Sequence, residues 1–122
     1  MHIGDKAAVL RIYIGESHYY KQMPVYEDIL YRARERRLAG ATVQRSWLGF
    51  GKTELQPEKH LHEFRISDDV PVIVEIVDTE ERVLNFLAEV RMLLGSRGLV
   101  TLGHVQVMHY GNSYSPDVSP PA

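Results

Sequence analysis

Apolar, β-branched runs alternate along this chain with segments whose apolar residues recur at helical spacing. Strands are predicted over residues 7–15, 41–50, 70–77 and 99–108, because each run is rich in aliphatic or aromatic residues and is bounded by glycine or polar residues. The run over 70–77 gives the clearest strand pattern. Its proline is the second residue, where a strand tolerates one.

Two helices are predicted between these strands. The first covers residues 24–38, with a proline in its first turn and Gly40 as a candidate C-cap. The second covers residues 80–94, with Asp78 or Thr79 as a candidate N-cap. The resulting order β-α-β-β-α-β predicts an α+β fold, a ferredoxin-like sandwich with helices on one face of an antiparallel sheet.

The first and third predicted strands are apolar at both odd-numbered and even-numbered positions. These residues are Val9, Leu10, Ile12 and Ile14 in the first strand, and Val72, Ile73, Val74 and Ile76 in the third. A sheet with one face in water would alternate apolar and polar residues. We therefore expect the sheet face without helices to be buried against other subunits.

Length and composition limit the domain organisation and the partners. The 122 residues suffice for one core, and we expect a single domain over 1–110 followed by a polar, proline-rich, disordered tail over 111–122. A net charge of −2 predicts no nucleic-acid surface, and the absence of cysteine excludes disulfides and thiolate metal sites. With no signal-peptide pattern and no membrane-length apolar run, we expect a soluble cytoplasmic protein.

The most informative motif is Gly49-Phe50-Gly51-Lys52-Thr53, at the end of the second predicted strand. Its glycines allow close backbone approach and its lysine adds a cation, a combination that suits phosphate. Residues 46–53 match the phosphate-loop pattern Gly-x-x-x-x-Gly-Lys-Thr except at Ser46. Pro57 predicts a loop where that motif requires a helix. A small ATPase, with Asp78 as its magnesium ligand, is therefore only a third hypothesis.

A pair of histidines in the following loop is a candidate metal site. His60 and His62 lie on one side of the chain if the loop is extended, near Glu58 and Glu63. A loop pair without a third fixed ligand is more often solvated.

Three other features have structural interpretations. Trp47 is predicted to fill the core, with an interface anchor as the alternative. Asp68 and Asp69 are expected to shape a turn. The arginine cluster on the first helix is expected to form a solvated face; it consists of Arg32, Arg34, Arg36 and Arg37.

Several segments together resemble an uncharacterised bacterial and archaeal family related to PII signal-transduction proteins. The segments are Leu10-Arg11-Ile12-Tyr13-Ile14-Gly15-Glu16, Gly40-Ala41-Thr42-Val43, Gly49-Phe50-Gly51, the loop histidines, Val70-Pro71-Val72-Ile73-Val74-Glu75 and Gly98-Leu99-Val100-Thr101. The resemblance spans residues 7–108. It implies a homotrimer of ferredoxin-like subunits, similar to PII and CutA-type proteins, with an adenine nucleotide (ATP, ADP or AMP) in the clefts between subunits.

The same resemblance implies which residues form the nucleotide site. They are Thr42, Arg45, Gly49, Phe50, Gly51, Lys52, Arg97 and Gly98. The chain departs from PII in two places. The interval from Thr42 to Gly49 is one residue longer, and Lys52-Thr53 stands where PII has Arg-Gln. Taken alone, Arg97 also fits a solvated arginine at a helix C-terminus, where the helix dipole favours a cation.

The first functional hypothesis is a non-enzymatic, nucleotide-responsive regulatory trimer without an obligate cofactor. Nucleotide at the loop base would favour one arrangement of residues 52–69, and this loop would engage a target protein such as a transporter or an enzyme. The alternative is a CutA-like metal-binding or metal-tolerance protein that uses His60 and His62.

Overall fold

The computed structural model describes residues 6–50 and 69–111. Its elements follow one another in the order β1 (Lys6–Gly15), β2 (Tyr19–Tyr20), β3 (Met23–Pro24), α1 (Val25–Glu35), β4 (Gly40–Arg45), β5 (Pro71–Thr79), α2 (Glu80–Leu94) and β6 (Leu99–Gln106). Strands β2 and β3 form a small separate hairpin that the sequence analysis did not predict.

The four long strands form one antiparallel sheet in the order β4-β5-β1-β6. Strand β1 lies in the centre, where Arg11 is opposite Glu75 of β5 on one side and opposite Thr101 of β6 on the other. Residues that share a face with Leu10 and Ile12 pack under both helices. The predicted ferredoxin-like arrangement is therefore confirmed, with β4 and β6 as the two edge strands.

The core lies between the two helices and one face of the sheet. Strand β1 contributes Leu10 and Ile12, α1 contributes Ile29, and α2 contributes Val83 and Val90, all of them at most 1% exposed. Each side chain of this size stabilises the fold by about 1.5–3 kcal/mol when it is fully buried. The alternation along β5, with every second residue buried, shows that this sheet has one face toward the core.

The C-terminal end of α1 differs from the prediction, whereas its start and both ends of α2 agree with it. Gly40 is not the C-cap of α1; Arg36 takes that position and Arg37 follows with a left-handed φ of 57°. Helix α2 has Thr79 as N-cap, whose Oγ1 accepts a hydrogen bond from the Arg82 amide, and Gly95 as C-cap. Gly40 instead begins β4, so the chain enters the sheet directly after the turn.

A buried carboxylate fixes the end of the sheet near this turn. Asp78 is 0% exposed, and its oxygens accept hydrogen bonds from the amides of Ala39 and Thr79 and from Nη1 of Arg82. Nη2 of Arg82 donates to the carbonyls of Arg36 and Arg37. We call this end of the sheet the clamp end, because one carboxylate and one guanidinium hold the α1–β4 turn against α2.

The arginines of α1 lie at the surface, as predicted, and two of them form ion pairs. Nε of Arg32 donates to Asp28 at 2.8 Å, and the hydrogen bond raises the pKa of Arg32 above its ordinary value. Arg32 and Arg36 both contact Glu89 of α2. The side chains in these pairs are between 17% and 61% exposed. Surface ion pairs contribute at most about 1 kcal/mol each, so these pairs orient the helices more than they stabilise them.

Candidate functional site

The end of the sheet opposite the clamp end carries most of the predicted site residues. There β1 and β4 finish while β5 and β6 begin, with Gly15 opposite Pro71 and Arg45 opposite Val72. We call it the glycine end, because Gly15, Gly49 and Gly98 all approach neighbouring residues there. Its predicted members are Arg45, Gly49, Phe50, Arg97 and Gly98. Gly51 and Lys52 lie outside the described residues.

The turn between α2 and β6 places Arg97 beside β1. Gly95 and Gly98 have φ angles of 64° and 85°, a region that only glycine adopts easily. At Gly98 a Cβ atom would lie 3.0 Å from Cγ2 of Ile14 and 3.2 Å from the carbonyl oxygen of Tyr13. Glycine is therefore required at residue 98 both by the backbone angle and by the lack of space.

The guanidinium of Arg97 is partly withdrawn from solvent. Its Nε is buried and has no hydrogen-bond acceptor among residues 6–50 and 69–111. An arginine solvated along its whole guanidinium would also leave this N–H in water, whereas here Nε is buried. A buried, charged donor without an acceptor is costly, and an anion placed against it would remove the cost.

The chain leaves the sheet after β4 earlier than predicted. The amide and the hydroxyl of Ser46 both donate to the carbonyl of Pro71, at 3.1 and 2.5 Å. Gly49 lies against the same proline, where a Cβ atom would approach Cγ of Pro71 to 3.4 Å. The predicted strand over 41–50 therefore ends at Arg45, because Pro71 is where β5 begins.

Aromatic side chains after Ser46 project into solvent. Trp47 is 91% exposed and Phe50 80% exposed, with Leu48 between them at 54%. The prediction that Trp47 fills the core is wrong, because β4 ends before it and its side chain is almost fully exposed. The glycine end consequently carries a small exposed apolar surface.

Two predicted nucleotide contacts have other surroundings in the single chain. Arg45 forms an ion pair with Glu16, in which both Nε and Nη2 lie 2.8 Å from Oε2. Thr42 lies near the start of β4, three residues before Arg45, on the sheet face without helices and opposite Glu75. The structure thus brings Arg45 to the glycine end but places Thr42 away from it.

Asp69 holds the turn that follows β1, as the turn-forming interpretation of the aspartates predicts. It is 7% exposed, and its Oδ1 accepts a 2.7 Å hydrogen bond from the amide of Ser17. A Cβ atom on Gly15 would lie 2.0 Å from Oδ2 of Asp69. Gly15 is therefore needed to admit this carboxylate, a role that the sequence analysis missed although the pattern of glycine followed by polar residues indicated a turn.

Gly49 and Arg97 lie at the same end of the sheet but beside opposite edges. Gly49 follows β4 and Arg97 precedes β6, and β5 and β1 lie between these strands. Three strand spacings of about 4.8 Å give a separation of about 14 Å at the backbone. One phosphate cannot contact both residues of the same chain across that distance.

The other candidate sites receive no support from the described residues. Asp78, the candidate magnesium ligand of an ATPase, lies at the clamp end with its carboxylate engaged by Ala39, Thr79 and Arg82. Within residues 6–50 and 69–111 no group of three or more His, Asp or Glu side chains could hold a metal ion. The predicted pair His60 and His62 lies outside that part of the chain.

No helix in the described ranges is both long and apolar enough to cross a membrane.

Comparison with known proteins gives a match over nearly the whole chain. Residues 7–107 match the profile of DUF190, described as Uncharacterized ACR, COG1993. A UPF0166 protein of Aquifex aeolicus is 40% identical over 104 residues, which cover 85% of this chain and 95% of that protein. A UPF0166 protein of Methanocaldococcus jannaschii is 28% identical over 109 residues, covering 89% and 97% of the two chains.

A solved structure shares the fold. It is described as CPII bound to ADP, AMP and acetate, from Thiomonas intermedia K12, and it superimposes with a TM-score of 0.57 at 21% identity. The superposition covers 86% of this chain and 91% of that one. The predicted PII-like fold is thereby confirmed.

Proposed function

Because the chain belongs to the DUF190 family and has a PII-like fold, we propose that it is a non-enzymatic regulatory protein that binds an adenine nucleotide between copies of itself. In this proposal residues 52–69 are the loop that a target protein recognises, the assembly is a homotrimer, and the setting is the cytoplasm. The bound ADP and AMP named for the structural neighbour support adenine nucleotide as the ligand class.

The observation that carries the proposal is the buried Nε of Arg97, which lacks an acceptor among the described residues. The turn around Arg97 has positive φ angles at Gly95 and Gly98. These glycines have no side chains, so a ligand beside Arg97 can approach their backbone closely. A phosphate there would accept charge-assisted hydrogen bonds, worth about 1.5–3 kcal/mol each. Arginine suits this role because its planar fork matches phosphate oxygens.

The topology supports a site shared between two copies. In the sheet order β4-β5-β1-β6, with every pair antiparallel, β4 runs opposite to β6. When copies are arranged head to tail around an axis, the β4 edge of one therefore meets the β6 edge of the next in antiparallel orientation. The glycine ends coincide in this arrangement, which brings Gly49 of one copy to Arg97 of its neighbour.

The exposed aromatic residues at the glycine end provide a surface for the base. Phe50 follows Gly49 directly and is 80% exposed, and Trp47 is nearby in the sequence and 91% exposed. Adenine needs an apolar slot with few polar contacts, and a seam between subunits that covers one of these rings supplies it. The same seam would remove an exposed apolar surface from water.

Binding without catalysis agrees with two carboxylates of the described residues at this end of the sheet. Glu16 is paired with Arg45, and Asp69 accepts from the backbone of Ser17. Each of these acids has a structural partner, so neither is poised to activate a water molecule. We therefore propose that the nucleotide acts as a signal and is released unchanged.

Titration calorimetry with ATP, ADP and AMP, repeated with Mg²⁺, tests the proposal. We expect saturable binding of at least one nucleotide, no phosphate release, and about a tenfold or greater loss of affinity in Arg97→Ala, because charge-assisted hydrogen bonds are lost. The control is Arg91→Ala, which removes an exposed arginine from the last turn of the same helix. Unchanged binding by Arg97→Ala, or no binding by the wild type, would contradict the proposal.

A further inference from the structure

An ion pair spans the start of β5 at the glycine end. Arg45 ends β4 and Glu16 follows β1, and β5 lies between these two strands. Nε and Nη2 of Arg45 both lie 2.8 Å from Oε2 of Glu16. The amide of Glu16 donates to the carbonyl of Val70, and the amide of Ser46 donates to the carbonyl of Pro71. The backbone beside each charge is therefore fixed, and the ion pair holds the two side chains together.

The guanidinium of Arg45 keeps donors that the ion pair does not use. Its side chain is 67% exposed, and Nη1 has no acceptor among residues 6–50 and 69–111. An arginine carries five N–H donors, so Nη1 can donate to a ligand while Nε and Nη2 stay on Glu16. Glu16 thus remains paired when a ligand contacts Arg45.

In the proposed assembly, Arg45 of one copy and Arg97 of the next lie on the two sides of one seam. Arg45 is opposite Val72, whose buried side chain faces the helices. Arg97 belongs to the turn from α2 to β6, and Gly98 of that turn lies against Ile14 of the core. Both arginines therefore lie at the glycine end on the helix side of the sheet. When the β4 edge of one copy meets the β6 edge of the next, the two guanidinium groups flank the ligand.

The two arginines differ in the charge that they offer to a phosphate. Nε of Arg97 is buried and has no acceptor in the described part of the chain, whereas Glu16 offsets the charge of Arg45. A hydrogen bond to a charged group contributes about tenfold more to a binding constant than one between neutral groups. The orienting effect of an exposed ion pair contributes at most about fivefold. The offset of charge therefore outweighs the benefit of holding Arg45 in place.

We infer that Glu16 limits the preference of the proposed nucleotide site for longer phosphate chains. This inference rests on the proposed function and adds to it a residue that determines which adenine nucleotide binds. Arg97 binds the first phosphate of any of the nucleotides. The phosphates beyond it reach Arg45 across the seam, where Glu16 reduces the affinity that they add. The wild type should therefore favour ATP over AMP by less than about tenfold.

Titration calorimetry of Glu16→Gln with ATP, ADP and AMP, at one salt concentration, tests the inference. The substitution keeps the size of the side chain and removes its charge. We expect the affinity for ATP to rise about fivefold and the affinity for AMP to change less than about twofold, because only the longer chain reaches Arg45. The matched control is Glu81→Gln, which removes an exposed carboxylate from the first turn of α2 and should leave all three affinities unchanged.

A double-mutant cycle shows whether Glu16 acts through Arg45. Arg45→Gln alone should lower the affinity for ATP at least about fivefold, with little change for AMP. In that background Glu16→Gln should raise the affinity for ATP less than about twofold, because the charge that Glu16 offsets is absent. An undiminished fivefold rise there would mean that the carboxylate repels the ligand directly, which overturns the role assigned to Arg45.

A second variant covers a failure of Glu16→Gln to fold. Urea unfolding should give nearly the same midpoint for each variant as for the wild type, because the ion pair is exposed. If Glu16→Gln does not fold, Glu16→Asp replaces it. Its shorter carboxylate is withdrawn from Arg45, so the affinity for ATP should again rise relative to that for AMP.

The outcomes distinguish this inference from the proposed function. A wild type that binds none of the three nucleotides overturns the proposed function and this inference with it. A wild type that binds, with folded Glu16 variants whose affinities for ATP and AMP are unchanged or change by the same factor, overturns only the role of Glu16. A fall in the affinity of Glu16→Gln for ATP does the same, since orientation of Arg45 would then outweigh the offset of its charge.

Discussion

The two ends of the sheet use polar residues in opposite ways. At the clamp end, the buried carboxylate of Asp78 accepts from two amides and one guanidinium, and Arg82 reaches two further carbonyls. At the glycine end, Arg97 keeps a buried Nε without an acceptor in the described part of the chain, and aromatic side chains face solvent.

This difference separates residues that hold the fold from residues available to a ligand. A fully satisfied polar network in a protein interior stabilises one arrangement, whereas an incomplete one costs free energy until a partner completes it. Loss of the clamp should therefore reduce stability with little effect on nucleotide affinity. Changes at the glycine end should reduce nucleotide affinity with little effect on stability. The exception is a glycine that makes room for a neighbouring side chain, where a substitution should also reduce stability.

Removing the clamp carboxylate should have the largest effect. Asp78→Ala leaves the amides of Ala39 and Thr79 without their acceptor and Arg82 without its anion. We expect the free energy of unfolding, measured in urea, to fall by about 3 kcal/mol, because breaking a buried charged network leaves its partners unsatisfied. Glu81→Ala, which removes an exposed carboxylate close by, should change it by no more than about 0.5 kcal/mol.

A loss below about 1 kcal/mol in Asp78→Ala would show that the network contributes little, since even one unsatisfied buried group costs that much. The polar network of the clamp end would then not be the part of the sheet that holds the fold.

The contact of Gly15 with Asp69 gives the next largest effect. Gly15→Ala would place its Cβ atom 2.0 Å from Oδ2 of Asp69, so the carboxylate must move and its hydrogen bond to Ser17 must break. We expect a loss of about 2–3 kcal/mol in stability, since overpacking and a lost hydrogen bond act together. Thermal and urea unfolding both measure it.

A double-mutant cycle identifies the cause of that loss. In an Asp69→Ala background the obstructing carboxylate is absent, so Gly15→Ala should cost less than about 1 kcal/mol. If the effects of the two substitutions on the free energy of unfolding were additive, the destabilisation by Gly15→Ala would come from a contact other than that with Asp69.

The smallest effect expected is a gain in stability at the α1–β4 turn. Arg37 has a φ of 57°, which strains a residue with a Cβ atom. Arg37→Gly should stabilise the fold by about 0.5–1 kcal/mol, the relief of strain being partly offset by the greater freedom of glycine in the unfolded chain. Arg34→Gly, inside the helix, is the control and should destabilise by about 1 kcal/mol. A loss of stability in Arg37→Gly would show that the side chain has a packing role.

The four long strands and the two helices could be predicted because each depends on a local pattern, whereas the short β2–β3 hairpin was not predicted. Strands β1 and β5 are mostly apolar runs, each interrupted near its middle by one charged residue, and α2 has a polar N-cap and a glycine C-cap. The early end of β4 could not be predicted, because the residues after Arg45 still resemble a strand. Strand β4 ends there because its partner β5 begins at Pro71. That limit depends on the pairing of two segments that are distant in the sequence.

The candidate site was predictable only in part, for the same reason. The glycines and Arg97 stand out in the sequence. Their positions at one end of the sheet but beside opposite edges follow from the strand order. Neither the burial of Nε in Arg97 nor the pairing of Arg45 with Glu16 has a local signal, since each depends on residues far apart in the chain.

Complementation between two binding-deficient variants tests the central claim most directly. Gly49→Asp places a negative charge beside the proposed phosphate position at the β4 edge, and Arg97→Ala removes the cation at the β6 edge. Each variant alone should bind nucleotide at least about tenfold more weakly than the wild type in calorimetry, because each loses one of the two edges of the site. When they are unfolded together and refolded, about a quarter of the seams in randomly mixed assemblies should join two intact edges. We predict that this fraction of sites regains wild-type affinity. Mixed assemblies that regain no binding would contradict a site shared between copies.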